Sequence, residues 1–332
     1  MRAALIDALI ELASEDSKLF LLTADLGFSV VERFAGRFPD RFLNVGVAEA
    51  NMIGIATGLA TRGFTPYCYS IASFASMRAY EQIRNGPILH DLPVRIVGIG
   101  GGFAYGHAGI THFGLEDYAL GRAQPGLAVL SPCDPLQTGT AVRTMHRHPG
   151  PVYYRVGKGN DAVIPGLGGR FRLGEIETIL EGSQALILTT GGIAVEAAEA
   201  GRLLASWGHP SRVAAVPCLA PLRPEGLLEL IRNHSLIATV EEHYLSGGLG
   251  SLVAETMADY GLAKPLIRLG IPKMPKGVSG SPSFLRRQAG LDRQSIAETL
   301  MPALKGGPNG GPSPAFLPPI SASREVSSER SP

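Results

Sequence analysis

One carboxylate, Glu49, stands where an apolar helix begins in "NVGVAEANMIGIATGLATRG" (44–63). Wound at the helical period, it shares a face with Met52, Ile53, Ala56 and Ala60, the face that turns toward a core. Asp and Glu are seldom fully buried without a partner, so a carboxylate there needs one. In the plainer reading it offsets the positive end of the helix dipole. A second concentration of chemistry is "GIGGGFAYGHAGITHFGLED" (98–117), where five glycines between Gly100 and Gly109 precede Thr111, His112, Glu116 and Asp117. The glycines allow tight turns or close approach of the backbone to a ligand. No Gly-Lys-Ser/Thr follows and the G-x-G-x-x-G spacing fails, which excludes a phosphate loop and a dinucleotide fingerprint. His112 and Glu116 on one helix face could suit a metal, but no third ligand stands at suitable spacing. A glycine-rich turn leading into the next helix explains the same residues. In "RVGKG" (155–159), Arg155 and Lys158 bring two cations to a strand end, for an anionic substrate or for solvent. The stretch "SFASMRAYEQIRNG" (73–86) reads as a helix that packs Phe74, Met77, Tyr80 and Ile83.

The elements that must position these residues alternate regularly. Strand-like runs at 19–24, 41–45, 66–70, 94–100, 127–132 and 152–156 are separated by helical patterns. After the Gly/Pro-rich link "IPGLGGRFRLG" the rhythm resumes at 184–190, 212–217, 236–242 and 265–270. This predicts two doubly wound α/β domains, each a parallel sheet with helices on both faces. The expected limits are 1–163 and 183–304, with a linker at 164–182. Residues 305–332, rich in Pro, Gly and Ser, read as a disordered tail. The glycine loop follows the fourth strand, at the carboxyl end where open α/β sheets place ligands.

Composition narrows the function classes. The 332 residues are 45% hydrophobic and 18% charged, with a formal net charge of +1. Such a chain carries no field to attract nucleic acid or an anionic membrane. Cys68, Cys133 and Cys218 are far apart and form no CxxC, which argues for a reducing compartment and against structural zinc. The cytoplasm is the expected location. Asp7 and Glu11 interrupt any signal-peptide core, and no apolar run is long enough to span a bilayer.

Together, "TADLGFS", "RFLNVGVAEANMIGIATGLATRG", "SFASMRAYEQIRN", "GHAGITHFGLEDYALGRAQPGLAVLSPCDP" and "VEEHYLSGGLGS" resemble the thiamine diphosphate enzymes of the transketolase family. Their order and spacing follow the family's pyrimidine-binding domain and then its C-terminal domain. No "GDG" followed by Asn, as expected of the magnesium and diphosphate site, is found. The resemblance is therefore to the C-terminal subunit of a split transketolase. It implies a partner subunit, the N-terminal section, that supplies the ligands of Mg²⁺ and of the diphosphate. An α2β2 assembly, or a self-dimer through the pyrimidine and C-terminal domains, is implied too, with no metal ligand on this chain.

By the same resemblance, Glu49 would hold a proton against N1′ of the aminopyrimidine, favouring the imino tautomer whose 4′-nitrogen takes the proton from C2. Asp25 would lie near the cofactor across the subunit interface, and His112 would face the substrate's oxygens. Phe74 would stack on the pyrimidine, with Tyr80 or Tyr69 as alternatives. Arg78 and Arg155 fall where relatives bring cations to substrate or cofactor, while Glu242 and His243 look architectural. Relatives commonly read "DGPTH" where this chain has "HAGITH"; Ala108 replaces the acid and His107 precedes it, so donor recognition must differ. Relatives acting on sugar phosphates often carry His or Arg where this chain has Gly100 to Gly102, so this loop does not support a phosphorylated donor. The implied reaction transfers a two-carbon ketol unit from a ketose to an aldehyde. The alternatives are a 2-oxo acid dehydrogenase β subunit, a deoxyxylulose phosphate synthase-like enzyme, and a non-catalytic scaffold, against which the presence of Glu49 weighs.

Overall fold

The computed structural model describes residues 1–159 and 162–306. Strands β1 (Leu19–Thr23), β2 (Phe42–Asn44), β3 (Thr65–Ile71), β4 (Arg95–Ile99), β5 (Ala128–Leu130) and β6 (Val152–Val156) arise in the first half. Strands β7 (Glu177–Leu180), β8 (Leu186–Thr189), β9 (Arg212–Ala215), β10 (Cys218–Ala220), β11 (Ile237–Tyr244) and β12 (Leu266–Ile271) arise in the second. They form a seven-stranded sheet in the order β10-β5-β6-β4-β3-β1-β2 and a five-stranded sheet in the order β12-β11-β8-β9-β7. The central strands β3, β4 and β6 are buried almost throughout, as parallel strands covered on both faces must be.

Two strands were not expected from the sequence. β7 lies within the stretch read as a linker and pairs antiparallel with β9. β10 leaves the second half and pairs antiparallel with β5 at the edge of the first sheet. The helical reading of 73–86 also needs correction. A helix spans Ala72–Met77, Ala79 leaves the helical region at φ −108° and ψ 14°, and a second short helix runs from Tyr80 to Ile83. The final helix, Arg293–Gly306, continues two residues into the stretch expected to be a tail. The remainder of that stretch, 307–332, lies outside the described residues.

β11 carries two buried polar groups, one that holds a helix of its own half and one that meets the first half. Glu241, on β11, accepts hydrogen bonds from the backbone N–H groups of Leu249 and Gly250 at the start of the helix Leu249–Asp259. Burial nonetheless pushes its pKa up to about 7. His243 stacks on Tyr118 at 5.0 Å between ring centroids, donates from Nδ1 to the Tyr244 carbonyl and accepts the Ala119 N–H at Nε2. That pattern fits the neutral imidazole, and burial lowers its pKa to about 4.

Candidate active site

Glu49 is the first residue of the helix Glu49–Thr61, and the buried side chains of that helix are Glu49, Met52, Ile53, Ala56 and Ala60. The stripe read from the sequence is thus the face that packs inward, with the carboxylate only 2% exposed. Two donors compensate it. Ser70, on β3, donates to Oε1 at 3.0 Å, and Arg78 donates from Nη1 to Oε2 at 3.2 Å. Both depend on the chain after β3: Ser70 is fully buried in the strand, and Arg78 follows the short helix that ends at Met77.

Arg78 also lies over Phe74, with its guanidinium carbon 3.8 Å from the ring centroid. Phe74 in turn meets His112 edge-on, at 5.0 Å between centroids. Glu49, Arg78, Phe74 and His112 therefore form one continuous array. Asp25 stands at the end of β1 in the left-handed region, φ 56°, and is held by Asn44 at the end of β2. Its N–H donates to Asn44 Oδ1 at 2.9 Å, and Asn44 Nδ2 donates to its carboxylate at 3.0 Å. Tyr80 donates its hydroxyl to the Leu120 carbonyl at 3.0 Å, and Tyr69 is buried beside Arg2. His107 and Ala108 are exposed in a 3-10 turn, Gly106–Ala108. His112 ends a separate 3-10 turn and Glu116 precedes the helix Asp117–Arg122, so the two do not share a helix face.

Arg155 is buried. Its Nη1 donates to Asp117 at 3.2 Å, its Nη2 donates to the Glu242 carbonyl at 2.7 Å, and its guanidinium carbon sits 4.3 Å from the Tyr118 ring centroid. Burial works to lower its pKa, but Asp117 and the neighbouring phenols and carboxylate raise it overall. Glu242 accepts the Phe103 N–H and two hydrogen bonds from Arg286. Beside these groups opens a cavity of about 390 Å³ between the two sheets, lined by Arg2, Gly101, Arg155, Lys158, Glu242 and Arg286 among others. Lys158 lies 4.0 Å from the centroid of the Tyr105 ring. Its ammonium holds its proton less firmly than usual, through partial burial and the nearby Arg2 charge. Tyr105 is 6.2 Å from His112, centroid to centroid, and a Cβ built on Gly100, whose φ is 71°, would overlap its ring.

Sequence reasoning passed over several of these residues, Ser70, Asn44, Arg2, Tyr105, Tyr118 and Arg286 among them. Ser70 and Asn44 are polar residues at strand ends beside the candidate carboxylates, which is a usable signal. Arg2 and Tyr105 had no such signal, because their placement depends on how the first helix and the glycine loop fold.

The residues present fit the aminopyrimidine of the cofactor implied by the resemblance. The observation is Arg78, a planar cation with N–H donors that bonds Glu49 while stacked on an aromatic ring. Ser73, next to Phe74, has a buried hydroxyl oxygen with no hydrogen-bond partner. Among the described residues no group of three or more His, Cys, Asp or Glu is arranged to hold a metal ion, and no helix is long and apolar enough to cross a membrane.

Comparison with known proteins identifies the lineage of this arrangement. Residues 1–162 match the model of the transketolase pyrimidine binding domain, and residues 174–296 match that of the transketolase C-terminal domain. A Methanocaldococcus jannaschii chain, provisionally described as a transketolase C-terminal section, is 37% identical over 92% of this chain and 96% of its own. One of the subunits of the apulose-4-phosphate transketolase of Phocaeicola vulgatus is 33% identical over 92% and 97%. Among solved structures, a split gene transketolase in the form of an inactive β4 tetramer superposes with a TM-score of 0.82 at 34% identity, covering 92% of this chain and 97% of that one.

Proposed function

Because the chain belongs to the transketolase family as a C-terminal section, we propose that it is the subunit facing the aminopyrimidine of thiamine diphosphate in a two-part ketol transferase. The buried, doubly hydrogen-bonded Glu49 beside Phe74 carries this reading. Bound thiamine diphosphate supplies the electron sink that breaks a ketose C2–C3 bond and stores the two-carbon unit until an aldehyde accepts it. Glu49 holds a proton against the ring nitrogen N1′, with Ser70 fixing the orientation of its carboxylate. Phe74 covers one face of the ring, and His112, against Phe74, hydrogen-bonds the donor's oxygens. Asp25, exposed and positioned by Asn44, reaches across a subunit interface.

The partner is an N-terminal section carrying the diphosphate and Mg²⁺ ligands, in an α2β2 assembly in the cytoplasm. Exposed apolar side chains near the candidate carboxylates support a covering polypeptide: Phe28 and Val47 are 72% and 73% exposed, on the segments that follow β1 and β2. The donor is a ketose with an anionic far end. The loop at Gly100 to Gly102 offers no side chain for that group and Arg155 is engaged by Asp117, but Arg2 and Lys158 converge near Tyr105. The names of two relatives carry such groups, the apulose-4-phosphate transketolase above and a 6-deoxy-6-sulfo-D-fructose transketolase of a Clostridium species, one of whose chains is 34% identical over 89% of this one.

The test is reconstitution. This chain mixed with an N-terminal section should transfer a ketol unit from xylulose 5-phosphate or a sulfo-ketose to an aldehyde, and neither chain should do so alone. Decarboxylation of pyruvate without ketol transfer would favour the synthase alternative. Micromolar binding of thiamine diphosphate by the isolated chain would overturn the two-part reading.

A further inference from the structure

Arg78 occupies the space between the carboxylate and the aromatic ring. Its guanidinium bonds Glu49 Oε2 at 3.2 Å and lies 3.8 Å over Phe74. A planar cation with N–H donors, seated against a carboxylate and an aromatic face, presents the same features as a protonated aminopyrimidine. The two cannot use Glu49 Oε2 and the Phe74 face together.

The surroundings make Arg78 the removable member. Its side chain is 47% exposed, and it follows a six-residue helix at a break in the chain, so it has solvent to move into. Glu49 is fixed independently through Ser70, which donates to the other oxygen from the fully buried strand β3. Withdrawal of Arg78 therefore leaves the carboxylate in place with one acceptor oxygen released. Only the Arg78 side of the pair is open to solvent, 47% exposed against 2% for Glu49, and a cation–π contact at a half-open site is weak, so a well-bound ring that brings its own N–H donor to Glu49 can displace Arg78.

We propose that Arg78 is an internal occupant of the pyrimidine subsite, displaced when the cofactor binds. It compensates the buried Glu49 before assembly and opposes the entry of weakly binding amidine-like molecules. This rests on the reading of Glu49 as the aminopyrimidine partner.

The experiment measures the thiamine diphosphate affinity of the assembled two-subunit protein, with magnesium, by equilibrium dialysis. Arg78→Met should bind about tenfold more tightly than the wild type, a gain set by the lost ion pair and ring contact. A purely supporting role would weaken binding. Arg78→Lys keeps the charge without the planar stack and should show a smaller gain, which covers the case in which Arg78→Met fails to fold. In a Glu49→Gln background the advantage of Arg78→Met should disappear. Equal or weaker binding by the Arg78 variants, with the wild type binding normally, overturns the displacement proposal alone. No binding by any form overturns the cofactor reading and the proposal with it.

Discussion

Arg155, on β6 of the first sheet, donates to the main-chain carbonyl of Glu242, on β11 of the second, at 2.7 Å. The same guanidinium pairs with Asp117 at 3.2 Å, and Asp117 also accepts the Tyr153 hydroxyl at 2.8 Å. One side chain thereby ties both sheets to the helix that follows the glycine loop. Arg155→Met leaves the Asp117 carboxylate buried with only a phenol to compensate it. Removing one partner of a buried pair costs about 3–5 kcal/mol. Denaturant unfolding should show a loss of that order, and a loss below about 1 kcal/mol would mean that the link is not a structural one.

Glu49→Gln preserves shape but removes the shared proton. In the assembled enzyme, turnover should fall by about a hundred- to ten-thousand-fold. Exchange of the cofactor's C2 proton, followed by NMR, should slow in parallel. An unchanged exchange rate would confine Glu49 to a structural role.

Gly100 and Tyr105 exclude one another's alternatives, since any Cβ at position 100 overlaps the tyrosine ring. Gly100→His alone should destabilise the fold by about 1–3 kcal/mol through crowding and through its positive φ. Adding Tyr105→Ala should recover much of that loss. The double variant should also raise kcat/KM for xylulose 5-phosphate relative to the single one. Strict additivity of the two changes, measured by thermal unfolding, would show that the ring and position 100 do not compete.

Glu241 titrates near pH 7 in the fold against an ordinary carboxyl value of about 4.3 in the unfolded chain. Its folded pKa is raised, so the stability it contributes is complete below about pH 4 and is lost as pH climbs through 7. His243 has the opposite sign. Its pKa is lowered to about 4, and its contribution is present above about pH 6.5 and is lost as pH falls toward 4. Glu241→Gln carries a constant offset from its lost acceptor, but its melting temperature should gain on the wild type as pH rises from 5 to 8. A parallel pair of curves would contradict the assignment.

The Glu49 stripe was legible because helical period is a local property, and its buried positions follow from spacing alone. Ten strand runs were legible for the same reason. β7 was hidden by the Gly/Pro punctuation before it, and β10 by its three-residue length directly after β9. Arg155 could be placed at a strand end but not assigned a partner, because Asp117 and Glu242 reach it from 38 and 87 residues away. The break at Ala79 was illegible because the flanking residues keep helical spacing, yet it follows directly on Arg78, which reaches both Phe74 and Glu49.

The return of β10 to the first sheet gives the two halves an obligatory order of completion during synthesis. A ribosome that has released residues 1–163 has made six strands of the larger sheet, but the outer edge of β5 still awaits Cys218–Ala220. Until some sixty further residues emerge, that edge can recruit a strand from another nascent chain. A cut at the Gly/Pro-rich link, the natural place to divide the gene product in the laboratory, should therefore yield an N-terminal piece that sticks to itself, because the strand that covers β5 lies beyond the cut.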